Sequence, residues 1–185
     1  MTPVKARLPA HVLYDFVPAD CGGKVVRQGV EFKLNGSPVH VEAAANTTLL
    51  DVLRGDLGVC GPRYGCGLGQ CGACVVLVDG RPEAACTIPA EAVSGRVVTT
   101  VEGLGTPEQP HPLQTAFLDL QAGQCGYCLS GILVAAKGLL DRNPEPSRQQ
   151  IARALDGHLC RCGVHNRIMD AVALAARRIR EGAAA

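Results

Sequence analysis

The chain has 185 residues, 47% of them apolar but only 3% aromatic, and a formal charge of +1. That length holds one full domain or two small ones, with a core that must be built from Val, Leu, Ile and Ala. The near-neutral balance without a basic stripe excludes a nucleic-acid binder, whose affinity comes from neutralised phosphates, and no stretch reaches the ~20 apolar residues that cross a bilayer.

Residues 1–28 carry no periodicity and read as an extension. They open Met1-Thr2-Pro3-Val4-Lys5 without an apolar signal region, so the chain is expected in a reducing cytosol. There its ten cysteines read as metal ligands rather than disulfides. From Val30 the pattern alternates, with Val30, Phe32 and Leu34 on one face, then Val39 and Val41 after an Asn35-Gly36 hairpin signal. Thr48 with Asp51 forms a capping-box pattern ahead of Leu49, Leu50, Val52 and Leu53, which predicts a short helix ending near Gly55. A Gly/Cys-rich loop follows over 60–74, then strands over 75–78 and 97–101, the first closed by an Asp79-Gly80 turn. This order predicts a small β-grasp-like α+β domain.

Residues 103–112 are rich in Gly and Pro, and beyond them the hydrophobic period changes from 2 to 3.6. Leu113, Ala116, Phe117 and Leu120 mark one helix, with Gly123 as its stop. Ile132, Ala135, Ala136 and Leu139 mark a second, capped by Ser130. Ser147 with Gln150 opens a third, and Ile168, Ala171, Val172, Ala175 and Ile179 mark a fourth, led by Asn166. Arg177, Arg178 and Arg180 read as the solvated face of that last helix. Four short helices with short connections favour a bundle.

Cys66, Cys71 and Cys74 stand at C-x4-C-x2-C, and Cys86 follows after eleven residues, the plant-type spacing for a [2Fe–2S] cluster. Gly65, Gly67, Gly69 and Gly72 let the backbone curl around an inorganic core and aim N–H groups at its sulfurs. A zinc site also takes four thiolates, but it usually pairs two C-x2-C knuckles. Cys125 and Cys128 form a second set with Cys160 and Cys162, thirty-one residues apart, at predicted helix boundaries where a helix N-terminus would stabilise thiolate charge. By itself that spacing admits zinc or a redox pair as well as a second cluster. Cys60 reads as a packed small hydrophobe and Cys21 as a free thiol. His165 lies close to the second set, suited either to a hydrogen bond near a cofactor or to a surface role.

Together the two sets resemble the small iron–sulfur subunits of the molybdenum hydroxylases, the xanthine oxidase family. The resemblance covers residues 29–181 and rests on GPRYGCGLGQCGACVV (61–76), QCGYC (124–128) and LCRCG (159–163). PHPLQTAFLDLQAGQCGYC and LLDRNPEPS are most similar to the nicotinate dehydrogenase and isoquinoline oxidoreductase type.

The resemblance implies a ferredoxin-like domain over 29–103, a linker over 104–112 and a four-helix domain over 113–181, each domain with one [2Fe–2S] cluster. It implies a large partner subunit with a molybdopterin cofactor, of the cytosine dinucleotide type, that hydroxylates an N-heteroaromatic such as nicotinate. The present chain would make no bonds itself. Electrons would pass from molybdenum to the helical-domain cluster, then to the ferredoxin-like cluster, then outward. The position of Gln124 implies a hydrogen bond to the pterin, and that of Cys162 lies close to it.

Where the family commonly has Asn-Leu-Cys-Arg-Cys-Thr-Gly-Tyr, this chain has His158-Leu159-Cys160-Arg161-Cys162-Gly163-Val164-His165. That tail is similar to the type that pairs with a cytochrome-bearing large subunit, the alternative being a flavin subunit. The expected location is cytoplasmic, with any membrane association made through the partner. The competing readings are an aldehyde- or other-substrate-oxidising enzyme of the family, a free-standing two-cluster ferredoxin, and a scaffold with two zinc sites.

Overall fold

The computed structural model describes residues 27–183, so nearly all of the expected extension, with Cys21, lies outside the described residues. Strand β1 (Arg27–Leu34) begins two residues ahead of the limit drawn for that extension and pairs antiparallel with β2 (Ser37–Ala44) through the expected turn. Asn35 and Gly36 both take positive φ, +50° and +86°, which matches the twist of a tight hairpin. After Thr48 the chain forms α1 (Leu49–Asp51), which widens into a π-helical turn over Val52–Asp56. Thr48 caps it by accepting the Asp51 N–H at 3.2 Å, while its hydroxyl donates to the Asp51 carboxylate at 2.7 Å. The reciprocal half of a capping box, a bond back to the Thr48 amide, is replaced by that hydroxyl contact.

Three further strands, β3 (Val75–Val78), β4 (Arg81–Ala84) and β5 (Val97–Thr99), complete a sheet of order β2-β1-β5-β3-β4. β1 and β5 are parallel at its centre and every other pair is antiparallel. Two details differ from the sequence reading. β5 stops at Thr99, with Val101–Gly103 turning as a 3-10 helix, and β4 was not anticipated. β4 contains Pro82 and alternates exposed with half-buried positions, a composition tolerated only because it is the sheet edge.

The helical half comprises α2 (Pro112–Asp119), α3 (Leu129–Arg142), α4 (Arg148–Ala154) and α5 (His165–Ala183). The Ser147–Gln150 capping box forms as expected, and a second joins His111 to Gln114 at the start of α2. Three sequence-based boundaries are corrected. Ser130 does not cap α3: Cys128 occupies that position, and Ser130 is buried with its hydroxyl unpartnered. Gly126, at φ +77°, turns the chain so that its carbonyl receives the Leu129 N–H and starts the helix early. Asn166 lies inside the first turn of α5, accepting from Arg148 at 3.3 Å. At the end of α2 the left-handed residue is Gln121, φ +48°, rather than Gly123. Arg178 and Arg180 are not merely solvated, for they pair with Asp119 at 2.7 Å and Glu145 at 2.8 Å.

β3 belongs to both halves. Val76 and Val78 point into one core with Val30, Phe32, Leu49, Leu53 and Val98. Val75 and Leu77, on the opposite face, enter the helical core with Ile132, Ala135, Ala136 and Val172. All four residues of the strand are therefore buried, as expected of a strand covered on both faces. α3 lies directly on it: a Cβ added at Gly138 would fall 2.9 Å from Leu77 and from Pro82.

Candidate metal centres

The first cysteine set closes around the 66–74 loop. Gly67, Gly69 and Gly72 take positive φ, as the curled backbone requires. Leu68 and Gln70 turn their N–H groups onto the Cys66 sulfur at 3.3 and 3.2 Å. Those two amides, with the neighbouring Cys71 thiol, draw the Cys66 thiol down to about 6. Cys74 stands at the opposite extreme. Burial, with Cys86 beside it and Cys71 near, pushes its thiol up to about 12. Cys66 neighbours Cys71, and Cys74 neighbours Cys86 and Cys71, so the four cysteines lie in one group.

The second set assembles from two places. Cys125 and Cys128 flank the turn into α3, and Cys160 and Cys162 lie in the loop between α4 and α5. The Tyr127 amide, and then the Cys162 thiol, lower the Cys125 thiol. Burial pushes Cys128 up to about 12, with Cys160 beside it adding to the shift. The helix N-terminus expected to favour a thiolate at Cys128 is outweighed by that desolvation. At Cys160 burial acts upward too, but the amides of Val164, Cys162 and Gly163 and the Cys128 thiol prevail, so the net direction is down. In the first set amides stabilise Cys66 while Cys74 and Cys86 are buried, and in the second they stabilise Cys125 and Cys160 while Cys128 is buried.

Among the described residues no three His, Cys, Asp or Glu side chains converge as closely as a single bound ion demands. Each set supplies four thiols, the donor chemistry a [2Fe–2S] core takes, and the C-x4-C-x2-C spacing of the first favours that core over zinc.

Backbone joins the two sets directly. The Leu159 N–H donates to the Cys71 carbonyl at 3.1 Å, and Leu159 is covalently next to Cys160. A cavity of about 160 Å³ in the same seam is lined by Cys71, Ala73, Cys125, Tyr127, Cys128 and Leu159, among others. The closest approach is at two glycines. A Cβ on Gly131 would fall 1.9 Å from the Gly72 carbonyl oxygen, and one on Gly72 would fall 2.5 Å from His158.

His158 was not singled out by sequence reasoning. The residue is 8% exposed and neither ring nitrogen has a hydrogen-bond partner. Burial keeps it below the ordinary imidazole range despite the nearby Leu155 and Gly131 carbonyls, so it packs as a neutral ring. Its only sequence signal was its place where the family commonly has Asn.

Gln124 is exposed beside Cys125 and lines an apolar groove of about 650 Å³ with Phe117, Leu118, Leu129, Leu133 and Arg167. Cys162 is half-buried next to the Cys125 thiol, so both expected pterin-facing residues lie at this end of the helical half. His165 is exposed, with its Nε2 3.3 Å from the His158 carbonyl oxygen. Cys60 corrects an expectation. It is exposed rather than packed, its thiol donating to the Gly58 carbonyl, while Arg54 donates to the Cys60 and Pro62 carbonyls.

Comparison with known proteins decides the family. A "2Fe-2S iron-sulfur cluster binding domain" profile matches residues 32–96, and a "[2Fe-2S] binding domain" profile matches 100–173. The chain is 52% identical over 152 residues to a subunit of the nicotinate dehydrogenase of Pseudomonas putida, covering 82% of this chain and 97% of that one. The chain belongs to the small iron–sulfur subunits of the molybdenum hydroxylases. The alpha subunit of isoquinoline 1-oxidoreductase from Brevundimonas diminuta is 47% identical over 80% of this chain and 97% of its own length. Quinoline 2-oxidoreductase from Pseudomonas putida 86 superposes with a TM-score of 0.81 at 35% identity, over 85% of this chain and 98% of the matched one. The subunit is thus a two-cluster electron-transfer component of an oxidoreductase, and no helix among its described residues is long and apolar enough to cross a membrane.

Proposed function

We propose that Cys66, Cys71, Cys74 and Cys86 hold one [2Fe–2S] cluster and Cys125, Cys128, Cys160 and Cys162 the other. In this reading the subunit serves a hydroxylase of N-heteroaromatic compounds such as nicotinate. The observation that carries the ligand assignment is the grouping of eight sulfurs into two sets of four, joined by one hydrogen bond between Leu159 and Cys71. When bound, each cluster supplies a one-electron carrier.

The chain's own residues do the rest. The amides of Leu68, Gln70 and Tyr127 stabilise sulfur charge, and burial at Cys74 and Cys128 keeps water from the inner ligands. The Leu159-to-Cys71 bond gives a covalent and hydrogen-bonded connection between a ligand of one set and the neighbour of a ligand of the other.

Gln124 and Cys162 face the pterin of a molybdenum-binding large subunit, and the helical-domain cluster is the nearer to molybdenum. The exposed Gln124 at the rim of an apolar groove supports that orientation. The loop cluster then faces the exit, toward a cytochrome on the large subunit or a separate flavin subunit. The pterin is of the cytosine dinucleotide type, and the domains run 29–103 and 113–181 about a 104–112 linker. The absence of a disulfide among the nine described cysteines supports a reducing, cytoplasmic location. The 52% identity to a nicotinate dehydrogenase component supports nicotinate over an aldehyde as the substrate.

The test is to purify this chain with its co-expressed large partner, assay metal and acid-labile sulfide, and then add nicotinate anaerobically. About four irons and four sulfides per chain are expected, with bleaching of the visible absorption by nicotinate. Zinc, or half that iron in a folded chain, would refute the ligand assignment. Bleaching by aldehydes alone would refute the substrate.

A further inference from the structure

The two short segments GPRYG and CGYC are locked to each other by contacts that neither cysteine spacing nor metal ligation requires. Arg63 Nη1 donates to the Gly126 carbonyl at 2.9 Å, from a half-buried position. The same guanidinium lies 5.3 Å from the centroid of the Tyr127 ring. In return, the Tyr127 hydroxyl donates to the Tyr64 carbonyl. Arg63 is itself fixed to the loop, its N–H bonded to the Ala73 carbonyl at 3.0 Å. One arginine and one tyrosine therefore tie the turn that presents Cys125 and Cys128 to the loop that presents Cys66, Cys71 and Cys74.

Arg63 takes part in none of the ion pairs formed among the described residues. Its charge is accordingly not cancelled by a carboxylate. It sits on a peptide carbonyl between Cys125 and Cys128, while its backbone is three residues from Cys66. A cluster ligated by four thiolates is strongly anionic and becomes more so on reduction. A cation held between two such groups favours the reduced form of whichever lies closer, and half-burial weakens solvent screening of that effect. Lysine could supply the charge, but not the planar fork that holds a carbonyl and stacks on a ring together.

We propose that Arg63 is a positioning residue for electron transfer between the two clusters, fixing the 125–128 turn against the 66–74 loop and favouring reduction of the helical-domain cluster. The inference rests on the cluster assignment above. The step it serves moves one electron from one cluster to the other, with no bond made or broken and no proton required.

The experiment uses the complete complex with the large partner, as wild type, Arg63→Gln, Arg63→Lys and Tyr127→Phe. The clusters are titrated electrochemically and followed by electron paramagnetic resonance. In the wild type the two fully reduced clusters are expected to show a resolved magnetic splitting, because their separation is fixed. Arg63→Gln should smear that splitting and shift the reduction equilibrium of the helical-domain cluster about tenfold toward oxidised, ~59 mV for one electron. Arg63→Lys should restore most of the potential but not the sharp splitting. Tyr127→Phe keeps the charge and removes one tie, so it should broaden the splitting with the potential nearly unchanged.

An Arg63→Gln complex with wild-type splitting and potentials would overturn the proposal, as would loss of splitting in Arg63→Gln with none in Tyr127→Phe and full recovery in Arg63→Lys. If Arg63→Gln fails to assemble, the Lys and Phe variants decide by the same criteria. Wild-type complex lacking four irons would instead refute the cluster assignment on which this rests.

Discussion

Replacing Gly131 by alanine puts two opposing effects in one position, and the structure says which should win. Gly131 lies in the first turn of α3, and in an open helix alanine is preferred to glycine by ~1 kcal/mol. Here, however, the added Cβ would sit 1.9 Å from the Gly72 carbonyl oxygen, a backbone atom that no rotamer change can move aside. Reaching tolerable contact near 3.4 Å means opening the seam by about 1.5 Å, from the 1.9 Å approach. Overpacking of this kind costs ~1–3 kcal/mol, and a backbone clash belongs at the upper end. The net expectation is a loss of ~2 kcal/mol, which for a chain of this size lowers the melting temperature by roughly 4–8 °C. Opening the seam would also stretch the Leu159-to-Cys71 hydrogen bond and weaken magnetic coupling between the reduced clusters. The assay is thermal unfolding of the cluster-loaded protein, with paramagnetic resonance on the same samples. Gly138→Ala is the comparator. Its nearest contacts, at 2.9 Å, are the side chains of Leu77 and Pro82, so helix preference should nearly cancel the crowding. A Gly131→Ala variant as stable as wild type, or more stable, would show that the close backbone contact is not what joins the halves.

Cys128→Ser and Cys160→Ser should each destabilise the helical half and weaken its association with the large subunit, because the proposed ligands, drawn from the start of α3 and the α4–α5 loop, would couple cluster binding to folding. Denaturant unfolding and co-purification check this, and either variant folding and binding like wild type would count against it. In the chain before cluster loading, Cys66 should alkylate first, with a rate that rises through pH about 6, while Cys74 and Cys128, raised to about 12, should resist until unfolded. Because the Cys66 thiol is lowered on folding, its contribution to stability is fully present above the ordinary thiol range and is lost as pH falls through about 6. Mass-spectrometric labelling across pH 5–9 tests the order, and equal labelling of Cys66 and Cys74 in the folded chain would contradict it.

Much of this architecture was legible in the amino-acid order alone because its signals are local. The Asn35-Gly36 turn, the Ser147–Gln150 cap and the change of period near residue 112 each follow from a few neighbouring residues, and each appears in the structure. The first cysteine set was legible for the same reason, since three of its members lie in nine residues. The misreadings occur where a distant part of the chain overrides local preference. Ser130 looked like a cap, but the Cys128 turn starts α3 ahead of it and the helix then buries Ser130. β4 has Pro82 and no apolar alternation, and only its place on the sheet edge makes it a strand. Cys60 was expected inside because free Cys packs as a small hydrophobe, whereas it lies exposed with its carbonyl bonded to Arg54 and its thiol to the Gly58 carbonyl. His158 and Arg63 carried no recognisable spacing, because each matters only through a contact with the other half of the molecule.

That last group explains why the two-domain description, correct for the sequence, understates the structure. A linker at 104–112 would leave two redox domains free to separate, and the distance between their clusters would then be uncontrolled. Two features prevent this. β3 contributes Val76 and Val78 to one core and Val75 and Leu77 to the other, so displacing the helices exposes the sheet's second face. Beside it, Gly72 and Gly131 let backbone meet backbone, where any larger residue would act as a spacer. Electron tunnelling weakens steeply with distance, so the requirement at such a seam is thinness as much as strength. Small residues at the closest approach, one direct amide-to-carbonyl bond and a pair of side-chain ties at the rim answer both needs with the same few residues.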